Sequence, residues 1–183
     1  MLILIGGGVR SGKSAFALGL ARRLGKRRVY LATAEALDDE MSARIDRHAR
    51  ERGADFRTVE APLDAAERLA VEAEADVVVL DCLTLWLSNL LLRGDAEGEI
   101  LARVNGLIEM LRRKPFHSIL ITNEVGMGVV PESSLGRAFR DLCGRAHQSV
   151  AARADEIYFG ALGTLIRLKP APLTLVGPEE GIR

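Results

Sequence analysis

Three observations in the sequence predict an α/β fold, a mostly parallel sheet with helices on both faces. Short apolar runs alternate with helical stretches along most of the chain. A glycine-rich loop joins the first of these runs to the first helix. The clearest run, residues 76–81, is apolar at consecutive positions, as a strand covered on both faces requires.

The elements follow in order. Residues 1–5 read as a buried strand and residues 14–21 as a helix. Residues 28–33 form a second strand. Asp38-Asp39-Glu40-Met41 is an acidic helix start, with the helix running to about Arg52. Residues 56–60 make a third strand, and Pro62 opens a helix to about Ala73. After the strand at 76–81, helices are expected at 84–92 and 97–113, broken by Arg93-Gly94-Asp95. A strand at 117–122 precedes a helix from Ser133 or Ser134 to Arg153. Strands at 156–160 and 164–169 follow.

With 183 residues, 48% of them hydrophobic, the chain suits one core. The expected organisation is a single domain over residues 1–169 and a surface tail over 170–183. Lysine plus arginine balances aspartate plus glutamate at 25 each, so no polyelectrolyte partner such as duplex DNA is implied. Cys82 and Cys143 lie far apart without metal-ligand spacing, which suits a reduced cytoplasmic protein. The apolar stretch 77–92 is interrupted by Asp81 and Asn89, so membrane insertion is not expected.

Gly7-Gly8-Val9-Arg10-Ser11-Gly12-Lys13-Ser14 matches the phosphate-binding pattern G-x-x-x-x-G-K-[ST], in the required strand–loop–helix context. Backbone N–H groups from Gly8 to Lys13 converge on phosphate oxygens at the positive end of a helix. Lys13 neutralises the β- and γ-phosphates, and the Ser14 hydroxyl is placed to ligate Mg²⁺. Asp81, at the end of four apolar residues, is the expected acidic partner of Mg²⁺, a strand-end cap being the alternative. Gly6, Val9, Arg10 and Ser11 complete the loop candidates.

His48 shares a helical face with Met41, Arg44, Ile45 and Arg52, so an imidazole lies beside two guanidinium groups. A neutral histidine can attack phosphorus, and the cations can gather a phosphate chain; an ordinary surface histidine is the competing reading. The segment 122–132, with two glycines after a buried strand, is a candidate substrate loop or simply a long turn.

Taken together, these residues resemble the bifunctional adenosylcobinamide kinase and adenosylcobinamide-phosphate guanylyltransferase family of cobalamin biosynthesis, over roughly residues 1–169. The resemblance rests on the loop 7–14, Ala32-Thr33, Asp38-Asp39-Glu40-Met41, Arg44-Ile45 with His48 three residues on, Asn123-Glu124-Val125-Gly126-Met127-Gly128-Val129-Val130-Pro131, Phe139-Arg140-Asp141 and Gly144-Arg145.

The resemblance implies a RecA-like P-loop fold, usually a homotrimer, using ATP and GTP as substrates. A nucleoside triphosphate phosphorylates the aminopropanol hydroxyl of adenosylcobinamide. GTP then donates GMP through a guanylylated histidine, giving adenosylcobinamide-GDP and pyrophosphate. By position His48 becomes the nucleophile, with Ala49, Arg50, Glu51 and Arg52 lining the GTP site. Ala32 and Thr33 join the nucleotide-binding set, Glu60 and Thr84 become guanosine contacts, and Asn123 and Glu124 face the corrinoid. Asp81 stands where some relatives carry Glu.

Two other classes stay open on the residues alone. A single-activity P-loop kinase for a small alcohol would leave His48 idle. A non-catalytic nucleotide-dependent switch would need neither His48 nor a corrinoid.

Overall fold

The computed structural model describes residues 1–36 and 38–176; the side chains of Arg44 and residues 174–176 are also outside the description. Eight strands form one sheet in the order β3-β2-β4-β5-β1-β6-β7-β8. Its strands are β1 (Leu2–Gly7), β2 (Arg28–Ala32), β3 (Phe56–Glu60), β4 (Val77–Asp81), β5 (His117–Ile121), β6 (Glu156–Ala161), β7 (Thr164–Lys169) and β8 (Thr174–Val176). The pairs from β3 through to β6 are all parallel, whereas β7 and β8 join by antiparallel pairings.

Strand alternation divides the interior into two cores. Ile3 and Ile5 of β1, with Val77 and Val79 of β4, pack against Phe16, Leu20 and neighbours on α1 (Lys13–Leu24). Leu2, Leu4, Val78 and Leu80 point the other way. They meet α3 (Ala65–Ala70), α4 (Leu83–Arg93), α5 (Glu97–Arg113) and α6 (Ser134–Arg153), where Trp86, Leu87, Ile108 and Val150 are fully buried. The uniformly apolar strands follow from this two-sided burial.

Helix α2 (Asp39–Arg52) is capped by Asp38, whose carboxylate accepts from the Met41 amide at 2.7 Å. None of its described side chains before Arg52 is buried. It stands over the β2–β3 edge rather than in either core, tied at its end by Arg22, which donates to the Arg52 carbonyl and pairs with Asp55.

Two expectations change. The helix expected from Pro62 to Ala73 is only Ala65–Ala70. Side chains from α4 and α5 take the preceding carbonyls: Asn89 donates to Pro62, and Trp86 and Arg103 donate to Leu63. The expected tail includes β8, which pairs with β7 and extends the sheet; residues 177–183 lie outside the described ones.

Candidate functional site

The loop after β1 turns at Gly12 (φ 90°), a conformation glycine tolerates, and α1 begins at Lys13. Lys13 is buried, its Nζ donating to the Gly8 carbonyl and to Ser11 Oγ at 3.3 Å. Ser14 Oγ donates to Asp81 Oδ2 at 3.2 Å, bringing the expected metal pair together from α1 and β4. This hydroxyl–carboxylate pair is a hard oxygen set suited to Mg²⁺, which takes its other ligands from water and phosphate. Among the described residues, no group of three or more His, Cys, Asp or Glu forms a protein cage for a metal.

A cavity of about 950 Å³ opens in front of the loop. Its walls carry Val9 to Ser14 on one side and Met41, Ile45, Arg47, His48, Glu51 and Arg52 of α2 on the other. Ala32, Thr58, Glu60, Asp81 and Asn123 line it between them. His48 therefore shares a cavity with the phosphate loop, and its Nδ1 lies 3.5 Å from a Glu51 carboxylate oxygen.

Several expected residues sit elsewhere. Gly6 and Gly7 are strand residues behind the loop, and a Cβ on Gly7 would lie 2.2 Å from the Gly160 carbonyl oxygen. Ala49 and Arg50 are exposed and outside the cavity wall, because four consecutive helical residues cannot share one face. Thr33 is completely buried; its hydroxyl donates to the Cys82 carbonyl and accepts from the Cys82 amide, both at 2.8 Å. Thr84 is buried too, accepting from the Asn123 amide at 2.7 Å and bonding Thr122 at 2.9 Å. These two threonines brace the rim. Glu124 accepts from the Gly126 amide within its own loop and lines a separate hollow of about 210 Å³ beside His147.

Tyr30, Arg47 and Thr58, which the sequence did not single out, also line the cavity. The Tyr30 hydroxyl donates to Asp81 Oδ2 at 2.7 Å, and the Arg52 guanidinium lies 4.1 Å from the centre of its ring. A signal existed for Tyr30: a tyrosine in an aliphatic buried strand needs a partner for its hydroxyl. Arg52 also donates to Thr58 at 3.2 Å. The Arg44 side chain, part of the expected cationic pair, lies outside the described ones.

Fold and site define a RecA-like P-loop nucleotide-binding protein. Among solved structures, the RadB recombinase covers 98% of this chain and 88% of its own at 15% identity and TM-score 0.51. An ATPase from a type III secretion system covers 88% and 51% at 11% identity and TM-score 0.57. These likenesses show the fold alone. The family described as cobinamide kinase / cobinamide phosphate guanyltransferase matches residues 3–168, and this chain belongs to it. It is 45% identical to the bifunctional adenosylcobalamin biosynthesis protein CobP of Pseudomonas aeruginosa, over 93% of this chain and 98% of that one. It is 40% identical to the bifunctional adenosylcobalamin biosynthesis protein CobU of Escherichia coli, over 92% of this chain and all of the other.

Proposed function

We propose that this chain carries out both reactions of its family in one cavity. It phosphorylates the aminopropanol hydroxyl of adenosylcobinamide with ATP or GTP, then transfers GMP from GTP to that phosphate. The observation that carries this reading is the placement of His48 and the phosphate loop in the walls of a single cavity.

In the first reaction the loop amides and Lys13 hold the phosphate chain while the substrate hydroxyl approaches from the cavity. Its oxygen bonds the γ-phosphorus, the bond to the β-phosphate oxygen breaks, and the hydroxyl proton passes to solvent. Ser14 and Asp81 would hold Mg²⁺, which would offset charge on the phosphate oxygens.

In the second reaction the Glu51 carboxylate, 3.5 Å from His48 Nδ1, favours the tautomer with the proton on Nδ1 and leaves the Nε2 lone pair as nucleophile. Nε2 bonds the α-phosphorus of GTP and the bond to pyrophosphate breaks. A phosphate oxygen of adenosylcobinamide phosphate then displaces His48, the N–P bond breaks, and adenosylcobinamide-GDP leaves. Arg47, in the same wall, adds positive charge for the departing pyrophosphate. A homotrimeric assembly and a cytoplasmic setting belong to this reading; sedimentation tests the first.

The test uses Mg²⁺ with GTP labelled at the α- or the γ-phosphate. Acid-labile, base-stable label on the protein from the α position only, lost in His48→Ala, is the expected result. A folded protein that takes no label from either position would instead be a plain kinase.

A further inference from the structure

Asn123 and Glu124 are neighbours in sequence yet serve different spaces. Strand β5 ends at Ile121, but its hydrogen bonding to β1 continues. The Thr122 amide donates to the Ile5 carbonyl at 2.9 Å, and the Glu124 amide donates to the Gly7 carbonyl at 3.0 Å. The alternation of the strand therefore carries on past its end. Ile119, Ile121 and Asn123 belong to the α1 side, where Ile121 and Asn123 line the large cavity. Thr122 and Glu124 belong to the α6 side and line the smaller hollow.

Sheet order decides what Asn123 meets. β5 lies between β4, which ends in Asp81, and β1, which feeds the phosphate loop. Ile121 is the register partner of Asp81, so Asn123 stands just beyond that carboxylate, in the cavity wall with Lys13 and Ser14. The backbone of Asn123 is clamped: its amide donates to Thr84 Oγ1 at 2.7 Å, and its carbonyl lies 3.4 Å from the same oxygen. Thr84 is buried and bonds Thr122, which bonds His147 in turn. The carboxamide, by contrast, has one contact among the described residues, a long one from Nδ2 to Cys82 Sγ at 3.8 Å. A side chain with two donors and an acceptor thus faces the cavity from a fixed backbone, with no strong partner in the fold.

We propose that Asn123 is a catalytic residue of the phosphorylation step, its Nδ2–H donating to a non-bridging oxygen of the γ-phosphate. The inference rests on the phosphate-loop reading given above, in which Lys13 and the Ser14–Asp81 pair attract the terminal phosphates. It moves Asn123 from the corrinoid to the nucleotide, while Glu124, on the other face, has no part in the step. The substrate oxygen bonds the γ-phosphorus, the bond to the β-phosphate oxygen breaks, and the hydroxyl proton passes to solvent. The carboxamide stabilises charge on the transferred group and neither gains nor loses a proton. The α-phosphate attacked in the second reaction lies towards His48 on α2, so that chemistry does not call on Asn123.

The test is Asn123→Ala, which keeps the backbone groups that Thr84 holds and should leave the unfolding midpoint unchanged. The full chain and the variant are titrated calorimetrically, in Mg²⁺, with β,γ-imido-ATP and with ADP, and turnover of adenosylcobinamide is measured. The expected result is a loss of about tenfold in affinity for the triphosphate with ADP binding unchanged. The kcat for phosphorylation should fall by about 100-fold at an unchanged KM for adenosylcobinamide, while α-label from saturating GTP still reaches His48 in full. Asn123→Asp, of the same size, repeats the comparison should Asn123→Ala unfold early, and its added negative charge should weaken triphosphate binding at least as much. A higher KM for adenosylcobinamide with intact triphosphate affinity would return Asn123 to the corrinoid and overturn the proposal. Equal losses for the triphosphate and ADP, or a wild-type kcat, would overturn it as well. A wild-type protein that binds neither nucleotide would defeat the phosphate-loop reading itself, and the proposal with it, which a loss confined to the variants does not do.

Discussion

Tyr30 and Ser14 donate to the same carboxylate oxygen of Asp81, at 2.7 and 3.2 Å. The tyrosine ring carries the Arg52 guanidinium on its face, and Arg52 lies one helical turn after His48. A continuous set of contacts therefore runs from the helix bearing the candidate nucleophile to the candidate metal carboxylate. Burial, reinforced by the charge of Asp81, pushes the Tyr30 phenol well above its ordinary range, so it remains an O–H donor.

Tyr30→Phe removes that donor and keeps the ring beneath Arg52. The expected cost is about 1.5–3 kcal/mol of stability, the usual range for a hydrogen bond to a charged group, measured by urea unfolding. The half-saturating Mg²⁺ concentration for phosphorylation should rise several-fold, while α-label from GTP still reaches His48. An unchanged midpoint and Mg²⁺ dependence would reduce Tyr30 to a space-filling residue.

Thr33→Val separates a brace from a nucleotide contact. The substitution is nearly isosteric but removes the hydroxyl that accepts from the Cys82 amide and donates to the Cys82 carbonyl, which keeps its bond from the Trp86 amide. Stability should fall by about 1–3 kcal/mol, and the protein that remains folded should bind nucleotides with wild-type affinity. Selective loss of affinity at full stability would restore Thr33 to the binding set.

Gly160→Ala and Gly7→Ala probe the seam between β6 and the phosphate loop. A methyl at Gly160 meets Ser11 Oγ at 2.9 Å, the Ser11 carbonyl oxygen at 3.1 Å and Lys13 Cγ at 3.4 Å, so the loop backbone itself must shift to admit it. A folded protein with at least about tenfold weaker nucleotide binding is expected, since small displacements of positioning groups carry large penalties. Gly7 has φ 143° and its added Cβ meets backbone at 2.2 Å, so Gly7→Ala should fail to give soluble folded protein. Circular dichroism and calorimetry distinguish the two results, and equal behaviour of the variants would contradict the packing.

The fold was legible where local pattern and burial agree. The strands at Phe56–Glu60 and Thr164–Lys169 and the helix Glu97–Arg113 follow the expected spans, and in the helix the buried positions Ile100, Val104, Leu107, Ile108 and Leu111 recur at the helical period. The phosphate loop, Asp81 and His48 were legible as residue types in context. What escaped was decided through space. The side chains that shorten the helix after Pro62 come from residues 86–103, and nothing local announces them. Thr33 and Thr84 look like exposed site hydroxyls until the strand ends close around them. Gly160 and Gly163 matter because the β6–β7 hairpin folds against a loop about 150 residues earlier in the chain.

His147 makes stability depend on pH in a defined direction. Burial lowers its pKa from the ordinary value, and Glu124 opposes that shift only in part. Its Nε2 is 2.6 Å from Thr122 Oγ1, the residue that bonds Thr84 and so braces Asn123. His117 is shifted downwards by burial and by the N-terminal amine. For both, the unfolded chain takes up protons at a higher pH than the folded one. Their contribution is fully present above the unfolded value of about 6.5 and is lost as pH falls from there through the folded value. The low carboxyl pKa of Asp76, about 2, acts only in more acidic solution. The unfolding temperature should therefore drop between about pH 7 and pH 5. His147→Gln, which keeps a polar partner for Thr122 but cannot charge, should show a shallower drop over the same interval. An equally steep profile in the variant would assign the acid sensitivity to His117 or to the carboxylates.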